Sequence, residues 1–137
     1  MNRDKRFREL GKNVYTAREL ILIKDLGIGI WQETIDGEVK ELKLIPRRKV
    51  RDYEEKAELL YYVNDYDSMV KISLGKESFV SLVIDDEIVF RGSMKLLTKI
   101  QAASERMEYI LRTLCKEVII PSRIQYQKWL AERGYLD

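Results

Sequence analysis

Tyr15-Thr16-Ala17-Arg18-Glu19-Leu20-Ile21-Leu22-Ile23-Lys24-Asp25-Leu26-Gly27 is the stretch on which the fold of the first half turns. Its centre, Leu20-Ile21-Leu22-Ile23, is apolar on every side and would by itself pass for a strand. The flanks point the other way. Thr16 and Glu19 have the spacing of a capping box, with Thr16 accepting from the Glu19 N–H and Glu19 reaching back to the Thr16 N–H. Tyr15 and Leu20 occupy the two hydrophobic staple positions, and Gly27 stands where a left-handed C-cap residue belongs. These caps predict a helix over 17–26. A shorter helix over 3–10, ended by Gly11, precedes it.

Downstream, Ile30-Trp31-Gln32-Glu33-Thr34-Ile35 and Glu38-Val39-Lys40-Glu41-Leu42-Lys43-Leu44-Ile45 flank Asp36-Gly37. Asp-Gly between apolar-rich runs is a strong hairpin signal, because both central residues of the favoured turn need positive φ. A two-residue turn pairs Trp31 with Leu42 and Glu33 with Lys40. Pro46 ends the second strand, and Val50, Tyr53, Ala57 and Leu60 give residues 49–60 helical spacing. Strands are expected over 60–63, 69–74, 79–84 and 87–91, with 79–84 apolar enough to be central and covered on both faces. Leu96, Ile100, Ala103, Met107, Ile110 and Leu114 form one stripe of a long helix over 94–116. A last helix starts at a second capping box, Ser122 with Gln125, and stops at Gly134. The expected fold is α+β: N-terminal helices and a β-hairpin, a small antiparallel sheet and C-terminal amphipathic helices. One compact domain over 1–137 is expected, with a subdivision into a basic helix/hairpin half, 1–60, and a sheet-plus-helix half, 61–137, as the alternative.

Composition narrows the function classes. Charged residues reach 35% of 137 residues, above the roughly 25% usual for soluble domains, and fit a heat-adapted source. The 25 basic and 23 acidic residues nearly cancel, so a polyanion site would need local clustering. Without histidine there is no Ser-His or Cys-His pair and no imidazole ligand, and the single Cys115 gives neither a disulfide within the chain nor a thiolate zinc cage. The expected protein is non-catalytic and cofactor-free. No apolar run approaches the roughly 20 residues of a membrane span, and no leader is visible after Met1, so a cytoplasmic protein without a membrane partner is expected.

Three chemistries remain. Arg3, Lys5, Arg6, Arg8 and Lys12 crowd the first twelve residues, and Arg47, Arg48, Lys49 and Arg51 form the densest basic run. Such clusters gain by displacing counterions from a phosphate backbone, which makes DNA or RNA the first expected partner. Exposed aromatics such as Tyr126, Trp129 and Tyr135 fit a second reading, a protein-interaction or assembly subunit of a viral particle or larger complex, or a homo-oligomer. Asp65, Asp67, Asp85, Asp86 and Glu87 could hold Mg²⁺ if their loops met. Glu38-Val39-Lys40 and Glu41-Leu42-Lys43, with Asp25 or Asp36 as acidic partner, match the Glu-x-Lys element of a nuclease superfamily. A metal-dependent nuclease is therefore the third reading.

Residues 14–60 resemble helix-turn-helix regulators of the excisionase and MerR-like winged kind. The likeness rests on Tyr15-Thr16-Ala17-Arg18-Glu19-Leu20 followed by Leu26-Gly27-Ile28-Gly29. It implies a recognition helix at 30–35, a wing at 42–51 carrying Arg47, Arg48, Lys49 and Arg51, and a following helix at 52–60. The hairpin reading of 30–45 competes with it directly, since 30–35 cannot be both.

Overall fold

The structure is a computed structural model that describes residues 2–137. Its core is a five-stranded mixed sheet in the order β3-β2-β1-β4-β5. The strands are β1 (Ala17–Ile23), β2 (Ile28–Ile35), β3 (Glu38–Ile45), β4 (Leu59–Val63) and β5 (Ile88–Gly92). The helices are α1 (Lys5–Gly11), α2 (Val50–Lys56), α3 (Tyr66–Ser73), α4 (Phe79–Ile84), α5 (Met94–Cys115) and α6 (Arg123–Glu132). The α+β class is as expected.

Residues 17–26 are not a helix. Ala17–Ile23 is the central strand, antiparallel to β2 and parallel to β4. The groups that mimicked a cap are used elsewhere: the Thr16 hydroxyl accepts from the Asp36 N–H at 3.0 Å, and the Glu19 carboxylate receives two tyrosine hydroxyls. Gly27 does adopt positive φ, but to close the β1–β2 turn, where its N–H reaches the Ile23 carbonyl at 2.8 Å. A run that is apolar on all sides suits a strand covered on both faces as well as it suits a buried helix.

The hairpin at Asp36-Gly37 forms, with both residues at positive φ. A bulge after Glu33 shifts the register by one, so Trp31 faces Lys43, Gln32 faces Leu42 and Glu33 faces Glu41. Residues 30–35 are therefore strand and not recognition helix. Residues 42–51 are no wing either: β3 runs to Ile45, a single 3-10 turn covers Arg47–Lys49, and α2 begins at Val50. The expected strands over 69–74 and 79–84 are helices instead. Asp65 caps α3, accepting from the Ser68 N–H at 2.8 Å, and Ser78 caps α4, accepting from the Ser81 N–H at 3.1 Å. The long α5 and the capping box of α6 stand as read, with Gln125 Oε1 accepting from the Ser122 N–H at 2.9 Å.

Alternation along the strands sorts side chains onto two faces. On one, Leu20, Trp31 and Ile45 pack against Val50, Tyr53 and Ala57 of α2 and its C-cap. The other face carries Ala17, Glu19, Ile21 and Ile23 of β1 with their neighbours, and all the remaining helices pack on it. Asp4 fixes the first of these: it caps α1 through the Phe7 N–H and holds Arg106 of α5 by two bonds of 3.1 and 2.9 Å.

Candidate functional site

The helices close the helix-side face at its margins. Phe7 and Leu10 of α1 and Ile100 and Ala103 of α5 cover Ala17 and Leu59. Leu130 of α6 covers Ile23 and Ile28, and Leu82 of α4 covers Val63 and Ile88. Between them the pairing register lays out two rows, Ile21–Ile30–Leu44 and Glu19–Gln32–Leu42. Here closure fails. Ile21, Ile30, Gln32 and Leu44 are only half-buried, and Leu42 is 55% exposed. In the same two inner strands, Leu20 and Trp31 on the opposite face are 0% and 3% exposed, while Leu22 there is half-buried.

The apolar stripe of α5 fades in the same sense. Ile100 and Ala103 are buried, Met107 and Ile110 are half-buried, and Leu114 is exposed. Beyond it, Pro121, Gln125, Tyr126 and Trp129 line a recess of about 440 Å³. Tyr126, like Ile30 and Leu44, packs against the cluster of Ile23, Ile28 and Leu130. Tyr66, Tyr126, Trp129 and Tyr135 continue as an aromatic series with ring centroids 5.1, 6.0 and 6.2 Å apart. The result is an apolar strip with partial access on the helix side of the sheet.

One end of the strip is polar. Glu19 is buried on the central strand and accepts from the hydroxyls of Tyr15 and Tyr61, the latter at 2.9 Å. Gln32 donates toward Glu19, the Tyr15 hydroxyl and Thr34 at 3.4, 3.3 and 3.2 Å. Burial pushes the Glu19 carboxyl above its ordinary range, although both tyrosines pull it down. Burial and the neighbouring carboxylate drive the two phenols well above theirs, so both remain protonated donors at neutral pH. Gln32 and Tyr61 keep partial exposure. They are the polar groups of this cluster that a ligand in the strip could meet.

A carboxyl that ionises less readily folded than unfolded retains its proton into a higher pH range in the native state. Stability then falls as pH rises from the ordinary value of 4.5 through the raised one. Glu19→Gln keeps the shape and removes the titration. Urea unfolding at pH 5 and pH 7 should show wild type losing stability relative to this variant at the higher pH. A difference that stays flat would place the Glu19 carboxyl in its ordinary range.

The basic residues read from sequence do not converge. Arg3, Lys5, Arg8 and Lys12 line a shallow cleft with Glu9, Asp36, Glu38 and Lys40 near the hairpin tip, with Arg6 exposed beside them in α1. Arg47 and Arg48 follow the far end of β3, the length of an eight-residue strand away, or roughly 25 Å at about 3.3 Å per residue. There they hold main chain: Arg47 donates to the Leu26 carbonyl and Arg48 to the Gly134 carbonyl, each at 2.8 Å. Lys49 and Arg51 are exposed. Several of the acidic candidates hold protein groups. Asp65 is a helix cap, Asp25 holds Arg123 at 2.7 Å and accepts from the Tyr66 N–H, Asp36 accepts from the Asn13 N–H, and Glu38 and Glu41 pair with Lys40 and Lys43. Sequence reasoning passed over Glu19 as a cap residue. The signal available was a lone carboxylate inside an apolar run, four residues from a tyrosine.

The architecture is thus a mixed sheet with α2 on one face and the remaining helices on the other, which stays partly open over β2 and β3. Solved structures share it. A crystal structure of sterol carrier protein 2 matches at a TM-score of 0.65 and 12% identity, over 81% of this chain and 86% of that one. A solution structure of a conserved hypothetical protein from Thermus thermophilus, described as possibly a sterol carrier protein, matches at 0.64 and 12%, over 88% and 82%. The ubiquinone synthesis protein UbiJ-SCP2 matches at 0.53 and 9%, over 79% and 81%. At these identities the likeness is one of fold. The sequence matches no protein family and no curated protein. The chain therefore has the sterol carrier protein 2 fold, which overturns the winged helix-turn-helix resemblance. The readings as a DNA- or RNA-binding regulator, as a viral or assembly subunit and as a nuclease lose their support with it. No helix among the described residues is long and apolar enough to cross a membrane.

Proposed function

We propose that this protein binds and carries a lipid, holding its hydrocarbon part along the strip of Ile21, Ile30, Leu42 and Leu44. The observation that carries the reading is the incomplete closure of the helix-side face, where Ile21, Ile30, Gln32, Leu42 and Leu44 keep solvent access while their neighbours are buried under helices. Partly exposed apolar surface favours an apolar occupant, because each square ångström withdrawn from water contributes about 25 cal/mol. Gln32 and Tyr61 at one end of the strip give the ligand a polar terminus to orient against. The names of the structural neighbours, a sterol carrier protein, a possible one and a ubiquinone synthesis protein, agree in kind.

The test is uptake of an environment-sensitive fluorescent acyl probe, kept below its micelle concentration, by delipidated protein. Saturable uptake at one probe per chain with micromolar affinity, about −8 kcal/mol, is expected. Emission that rises without saturation, or equally with urea-unfolded protein, would reject the proposal.

A further inference from the structure

The α5–α6 connection displays apolar side chains that the strip does not use. Val118, Ile119 and Ile124 are 60%, 98% and 76% exposed. They stand on a fixed base: the Pro121 carbonyl accepts from the Tyr66 hydroxyl at 2.8 Å, Arg123 is held by Asp25, and Ser122 and Gln125 cap each other. Ile124 lies two residues before Tyr126, roughly 200° around the helix at about 100° per residue, so it points away from the side that buries Tyr126 and Leu130. The display is therefore built and directed outward.

The surrounding charge selects the occupant. Arg112, Lys116, Lys128 and Arg133 surround the tip in sequence, and none has an ion-pair partner among the described residues, whereas Arg123 is neutralised by Asp25. Glu117 and Glu132 are the carboxylates of the same stretch and are outnumbered. Lys128 follows Ile124 by one turn, with a stem long enough to keep its ammonium at a headgroup level while the isoleucine goes deeper. Trp129 is part-exposed with the Arg133 guanidinium 4.1 Å over its ring, the amphipathic pairing found at membrane–water boundaries. A two-fold contact between copies through this tip would bring the same unpaired cations together, which disfavours self-association. We infer that the 116–129 segment docks on the surface of a bilayer rich in anionic lipid, inserting Val118, Ile119 and Ile124 between headgroups. The recess lined by Pro121, Tyr126 and Trp129 then opens at the membrane. The inference goes beyond the carrier reading, and the inserted Val118, Ile119 and Ile124 lie outside the strip.

Co-sedimentation with phosphatidylcholine vesicles, with and without phosphatidylglycerol, tests it on the full chain. Wild type should bind the anionic vesicles about tenfold or more tighter than the neutral ones at low salt, and lose that preference at high salt. Lys116→Glu with Lys128→Glu should abolish the preference. Ile119→Asp with Ile124→Ser should weaken binding about tenfold or more, with the melting temperature and acyl-probe uptake unchanged, since both side chains are already in water. Failure of wild type to bind vesicles, or binding untouched by the isoleucine changes, would overturn the inference. So would a concentration-dependent rise in molar mass, abolished by Ile119→Asp, in protein that ignores vesicles. Lost probe uptake with vesicle docking intact would count against the carrier reading instead.

Discussion

Leu42→Glu is expected to weaken acyl-probe uptake by about tenfold or more while moving the unfolding free energy by no more than about 0.5 kcal/mol. The two effects separate because Leu42 is already more than half exposed on an edge strand, so the folded chain loses little when it changes. A ligand lying across the Glu19–Gln32–Leu42 row would lose an apolar contact and would also have to desolvate a carboxylate. Val89→Glu is the matched control. Val89 is similarly exposed, also on an edge strand, but pairs with Tyr62 on the opposite face of the sheet. It should leave uptake unchanged. Equal losses from both variants would mean that the probe reports general surface hydrophobicity.

Gly37→Ala should be strongly damaging, costing about 2–4 kcal/mol in urea unfolding. Gly37 sits at φ +78°, and a Cβ there would lie 2.7 Å from the Gly11 carbonyl carbon and 2.9 Å from the Lys12 nitrogen. Both are backbone atoms, so neither can turn aside. The hairpin tip is also stitched to the α1–β1 connection, with the Gly37 N–H donating to the Tyr15 carbonyl at 2.9 Å. Gly134→Ala separates the two contributions. Gly134 has φ +77°, but an added Cβ would meet only the Asp137 carboxylate at 3.6 Å. That variant should lose only about 1 kcal/mol, the conformational share alone. Against a total stability of about 5–15 kcal/mol, the larger loss is easily measured.

What could be read in the sequence was local. Asp36-Gly37 announces its hairpin from within, and the α5 stripe and the Ser122 box lie inside the elements they define. What was misread was decided at a distance. Thr16 and Glu19 have cap spacing, yet the hydroxyl is drawn to Asp36 twenty residues on, and the carboxylate to Tyr61 forty-two residues on. Nothing inside 15–27 encodes those partners. The misreading of 69–74 and 79–84 is different in kind. Asp65 and Ser78 cap the two helices from immediately outside them, so a local signal was present and was not read as a cap.

The site was less legible than the fold. Leu42, Ile30 and Ile21 become neighbours only through strand register, and that register carries a bulge after Glu33 which no periodicity foretells. Whether helices close over them depends on where α1, α5 and α6 come to rest. The basic residues, conspicuous by count, divide between a cleft at one end of the hairpin and main-chain anchoring at the other.

The carrier assignment is tested most directly by amide chemical shifts of the ¹⁵N-labelled protein during titration with a monomeric single-chain lipid. Perturbations should gather at Ile21, Ile30, Gln32, Leu42, Leu44 and Tyr126 and saturate together at one lipid per chain. Shifts confined to the cleft of Arg3, Arg8 and Lys12, or scattered over the surface without saturating, would contradict it.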